Sequence, residues 1–61
     1  MKYRDARLLK QGDIVLSKET KVQYTVQSVE VYGKDKPIRI NCECGYDGYI
    51  SFWHTEVEEH V

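Results

Sequence analysis

The stretch Cys42-Glu43-Cys44-Gly45-Tyr46-Asp47-Gly48-Tyr49-Ile50-Ser51-Phe52-Trp53-His54 admits two incompatible readings. Two cysteines and a histidine so close together suggest a metal site or a reactive thiol. The same residues also spell two strands around a glycine-containing turn, with the sulfurs as small core hydrophobes. Strand parity separates the two readings, because successive side chains of a strand point to opposite faces.

Upstream, Ile38, Ile40, Cys42 and Cys44 alternate with Arg39, Asn41 and Glu43, the pattern of a half-buried strand. A turn then leads to a second strand over residues 49–54. A two-residue loop at Asp47-Gly48 would pair Tyr46 with Tyr49 and Cys42 with Trp53, turning Ile50 and Phe52 toward water. A three-residue loop, Tyr46-Asp47-Gly48 with Gly48 left-handed, pairs Cys44 with Ile50, Cys42 with Phe52 and Ile40 with His54. The second arrangement buries every aliphatic residue of the hairpin and is the one expected. Its inner face carries Ile38, Ile40, Cys42, Cys44, Ile50 and Phe52. Its outer face carries Arg39, Asn41, Glu43, Tyr49, Ser51 and Trp53, with Asn41 opposite Trp53 and Glu43 opposite Ser51.

Chemistry fares poorly in that register. Cys44 and His54 lie roughly 13 Å apart along the strands, whereas zinc draws its ligands, usually four, to ~2.0–2.3 Å from the ion. The chain has only the Cys42-x-Cys44 pair, without the paired Cys-x-x-Cys motifs of a zinc ribbon. Core-facing thiols beside Ile50 and Phe52 lack the accessible, electropositive setting that makes a cysteine nucleophilic. Paired carboxylates on one face, a glycine-rich phosphate loop and a Ser-His-Asp set are also missing. The expectation is therefore no catalytic residue, no metal and no cofactor: a non-enzymatic protein.

The 61 residues make one domain, 1–61, with residues 1–8 as a loosely ordered lead-in. Residues 3–10 suit a short helical turn or a lead-in strand. Ile14, Val15 and Leu16 form a short strand after Gly12-Asp13, and residues 17–21 a polar loop. Residues 22–32 are rich in β-branched and aromatic types. Their apolar positions switch from even (Val22, Tyr24, Val26) to odd (Val29, Val31), which signals a bulge or sharp bend near Ser28. Residues 33–37 form a turn ending at Pro37. The tail suits either one helical turn, with Thr55 and Glu58 as a capping box, or a closing strand using Val57 and Val61.

The net charge of −1 lacks the basic surplus of a dedicated nucleic-acid binder. It is unevenly spread. Lys2, Arg4, Arg7 and Lys10 against Asp5 make the first ten residues basic; Glu43, Asp47, Glu56, Glu58 and Glu59 against Arg39 make residues 37–61 acidic. Two neighbouring cysteines are too few for a disulfide framework, and no apolar run approaches a membrane span or signal-peptide core. The chain reads as cytoplasmic, with reduced thiols and no membrane partner.

What remains is the hairpin's outer face. Trp53 and Tyr49 project to one side, with Arg39 and Asn41 beside them, Tyr46 at the turn and Tyr32 approaching from the preceding strand. Aromatic rings with an arginine are the residue types that anchor interfaces. The competing reading has Leu8 and Leu9 packed over Trp53. Glu43, Asp47 and Glu56 border the patch and repel phosphate, so a protein or extended peptide is the expected partner. The runner-up is weak nucleic-acid binding through the basic N-terminal segment.

The segments Lys10-Gln11-Gly12-Asp13-Ile14-Val15, Tyr24-Thr25-Val26-Gln27-Ser28-Val29 and Ile40-Asn41-Cys42-Glu43 together resemble small SH3-like barrels, among them KOW-type domains and YodC-like bacterial proteins. The resemblance spans about residues 9–57. It implies an all-β barrel of about five strongly bent antiparallel strands, to which the Thr55–Glu58 capping box adds a short helical turn near the C-terminus. Small near-neutral barrels of this kind are expected from a bacterial or phage source. The chain departs from that pattern in its longer turn before Pro37, in having Cys44 where a tryptophan is usual, and in lacking the basic loops of nucleic-acid-binding KOW domains.

Overall fold

A computed structural model describes residues 1–60. Five antiparallel strands form a single sheet: β1 (Ile14–Ser17), β2 (Gln23–Glu30), β3 (Arg39–Cys44), β4 (Gly48–Trp53) and β5 (Val57–Glu59). Their order across the sheet is β4-β3-β2-β1-β5. The first four strands meander, and the last returns beside the first. A four-residue helix, α1 (Tyr3–Ala6), precedes them, and a 3-10 turn, His54–Glu56, links β4 to β5. The protein is all-β, as expected.

The phase change in β2 is a bulge. Val26 pairs with Cys42, but Ser28 pairs with Asn41, so Gln27 is an extra residue on the β2 side. Before it Val26 is buried; after it the half-buried position is Val29. The extra residue bends the strand and lets both halves point apolar side chains inward. The strand is shorter than its composition suggested, because Val22 and Val31 lie outside it and are exposed.

Ala6, Val15, Val26, Ile38, Ile40, Cys42 and Val57 are fully buried, with Tyr24, Val29, Ile50 and Phe52 among the residues packed around them. The Tyr24 and Phe52 rings meet at 5.1 Å. They come from β2 and β4, which β3 separates, so the contact marks the inner side of the curled sheet. Residues 1–8 are not a loose lead-in: α1 inserts Ala6 into this core, and the Tyr3 hydroxyl donates to the Gly33 carbonyl at 3.0 Å.

The tail realises both of its expected forms in succession, a helical turn and then a strand. The capping bond sits two residues earlier than Thr55 and Glu58 suggested. Trp53 is the N-cap, and its backbone N–H donates to Glu56 Oε1 at 2.8 Å. Val61 lies outside the described residues.

Candidate binding face

The β3–β4 hairpin pairs Cys44 with Gly48, Cys42 with Ile50, Ile40 with Phe52 and Arg39 with Trp53. Against the expected register, β4 has slid by two residues. The loop is Gly45, Tyr46 and Asp47, and the left-handed glycine is Gly45, at φ +69°, rather than Gly48. Gly48 has a different reason to be glycine. A Cβ there would sit 2.5 Å from the Cys44 carbonyl oxygen, closer than any side chain tolerates.

A slip of two residues preserves parity. The outer face therefore holds the expected set: Arg39, Asn41, Glu43, Tyr49, Ser51 and Trp53. The cross-strand partners change. Arg39 is opposite Trp53, Asn41 opposite Ser51, and Glu43 opposite Tyr49. Cys44 changes most. It faces Gly48 instead of Ile50, finds no side chain to cover it, and is exposed rather than buried. Cys42 alone is the core thiol, and burial pushes its pKa up to about 11, so it is protonated at neutral pH.

Between the outer rings lies a hydrogen-bonded frame. Ser51 donates to Asn41 Oδ1 at 2.6 Å; Asn41 Nδ2 donates to Ser28 Oγ and Glu30 Oε2, each at 3.1 Å. Arg39 donates to Ser51 Oγ at 3.3 Å and lies 3.7 Å from Glu30. Ser28 and Glu30 were not expected here. The bulge brings them in, because it sets the even positions of late β2 beside Asn41 and Arg39.

Trp53 is 43% exposed and Tyr49 68%. Leu8, at 78%, buries too little to cover an indole, and Leu9 packs against the core cluster. Trp53, Arg39, Ser51 and Phe52 line a shallow cleft. The other expected members are less closely gathered. Tyr46 is fully exposed at the turn, at the opposite end of β4 from Trp53, and Tyr32 lies two residues beyond the end of β2. The face is thus a stripe along the hairpin, with a polar centre and aromatic ends.

Elsewhere Arg4 and Arg7 are exposed on and just after α1 and form no ion pair among the described residues. His54 is held structurally, its ring edge-on to Tyr3 at 5.8 Å and its Nδ1 accepting from the Ile38 N–H. Among the described residues no group of three or more His, Cys, Asp or Glu is placed to hold a metal ion, and no helix is long and apolar enough to cross a membrane. Comparison with protein-family models, curated proteins and solved structures finds no match to this chain.

Proposed function

We propose that this chain is a small non-enzymatic binding module of the SH3-like barrel type, acting in the cytoplasm. Its outer β3–β4 face would take a segment of a partner protein. One observation carries the reading: a chain this short needs its apolar side chains for the core, yet it leaves Trp53 and Tyr49 at the surface on one face. Arg39, Asn41, Ser51, Ser28 and Glu30 hold one another between the rings, so the frame is already ordered before a partner arrives. Preorganisation of this kind lowers the entropy cost of binding.

The test is amide-shift titration with a panel of extended peptides, proline-rich and β-forming. The expected result is movement of Arg39, Tyr49, Ser51 and Trp53, and a loss of affinity on the order of 30-fold in Trp53→Ala, the size of an interface anchor. Titration of the whole panel without shifts on this face would overturn the reading.

The runner-up rests on Arg4 and Arg7, exposed and in no ion pair among the described residues. A single-stranded oligonucleotide would then shift residues 2–10 at low salt, and the shifts would vanish as salt rises.

A further inference from the structure

Backbone geometry singles out the free edge of β4. The His54 N–H donates to the Ile38 carbonyl at 2.8 Å, so Ile38 and His54, just beyond the Arg39–Trp53 pair, occupy the next hydrogen-bonding position of the β3–β4 register. Such pairs alternate with non-bonded ones. Phe52, Ile50 and Gly48 therefore direct their backbone groups to β3, and Trp53, Ser51 and Tyr49 direct theirs away from it. The Trp53 N–H is taken by Glu56. Among the described residues, Tyr49 and Ser51 keep an open N–H and C=O each, at the outer edge of the sheet.

The two edges of the sheet are built differently. β5 is three residues long and carries Glu58 and Glu59. A short, charged edge is how sheet proteins block strand-to-strand pairing. β4 has six residues, Gly48-Tyr49-Ile50-Ser51-Phe52-Trp53, with no charge and no proline. Apart from Glu56, which takes the Trp53 N–H at the end of the strand, this edge lacks those protections.

We infer that β4 pairs antiparallel with β4 of a second copy of this chain, the two-fold axis passing between the two Ile50 residues. Tyr49 of each copy then exchanges backbone hydrogen bonds with Ser51 of the other, using the groups left open. A two-fold contact must be complementary to itself, and an uncharged strand meets its own copy without like-charge repulsion. The side chains agree. On the inner face Ile50, only half-buried in the single chain, meets its own copy, and Phe52 lies opposite Gly48, where no side chain obstructs the ring. Pairing at β4 leaves only the two acidic β5 edges, so assembly stops at the dimer. The inference concerns the strand edge and does not depend on the partner face proposed above.

Sedimentation across a concentration series, together with amide hydrogen exchange, tests it. The expected mass rises from 7.2 kDa to twice that, with the Tyr49 and Ser51 amides gaining protection as the dimer forms. Tyr49→Lys, which places a charge on the edge, and Ser51→Pro, which removes an edge N–H, should both remain monomeric. Circular dichroism establishes that each is folded. Trp53→Ala, which damages the proposed partner face, should still dimerise. A wild-type chain that stays monomeric at millimolar concentration overturns the inference and leaves the edge to a foreign strand. So does open-ended polymerisation, a dimer without protection at Tyr49 and Ser51, or a dimer that persists in folded Tyr49→Lys.

Discussion

His54 and Ile38 are joined twice: the His54 backbone N–H donates to the Ile38 carbonyl at 2.8 Å, and the Ile38 N–H donates to Nδ1 of the His54 ring at 3.1 Å. The second bond requires Nδ1 to be unprotonated, which places the proton of the neutral ring on Nε2. The pair fastens the start of β3 to the end of β4, where Tyr3 of α1 also leans on the imidazole.

Removing the ring therefore strips a partly buried N–H of its partner. His54→Ala should cost about 1–3 kcal/mol, read as a lower denaturation midpoint. His54→Phe keeps a ring against Tyr3 but not the acceptor. It should recover only part of the loss, and full recovery would show that ring packing, not the hydrogen bond, carries the effect.

The two glycines of the hairpin are constrained in different ways, and alanine separates them. Gly45→Ala meets open space and incurs only the left-handed backbone penalty, about 1–2 kcal/mol. Gly48→Ala drives a methyl group into the Cys44 carbonyl, so β4 must shift against β3. Gly48→Ala should be the more damaging, with amide shifts spreading along both strands. Equal melting temperatures for the two variants would contradict the close approach at Gly48.

The cysteines should behave oppositely. A thiol reagent under native conditions should label Cys44 and spare Cys42 until the chain unfolds. The Cys42 thiol also makes stability depend on alkaline pH. Its folded pKa of about 11 exceeds the ordinary thiol value of 9.0, so the folded state holds the proton that the unfolded state releases. Its contribution is complete below pH 9 and is lost as pH rises toward 11, a loss on the order of 2 kcal/mol. Cys42→Ala should be less stable at neutral pH and should show a shallower alkaline decline. Parallel declines in both proteins would argue against a buried, protonated thiol.

What the sequence determined by itself was the faces. The alternation from Ile38 to Cys44, and from Tyr49 to Trp53, dictates which side chains share a side, because that depends only on the two-residue period of a strand. The even-to-odd switch between Val26 and Val29 signalled a bulge or sharp bend near Ser28 for the same reason; the structure makes it a bulge at Gln27. Tertiary structure alone decided the register. Moving β4 by two residues leaves every face intact, so no pattern of hydrophobicity distinguishes the alternatives. The choice falls to which glycine takes the left-handed conformation and which lies against a carbonyl. From that choice follow the exposure of Cys44 and the pairing of Arg39 with Trp53; the separate register of β2 on β3, set by the bulge, places Ser28 and Glu30 in the outer frame. Each depends on what lies opposite across a strand gap, and a local pattern does not encode that.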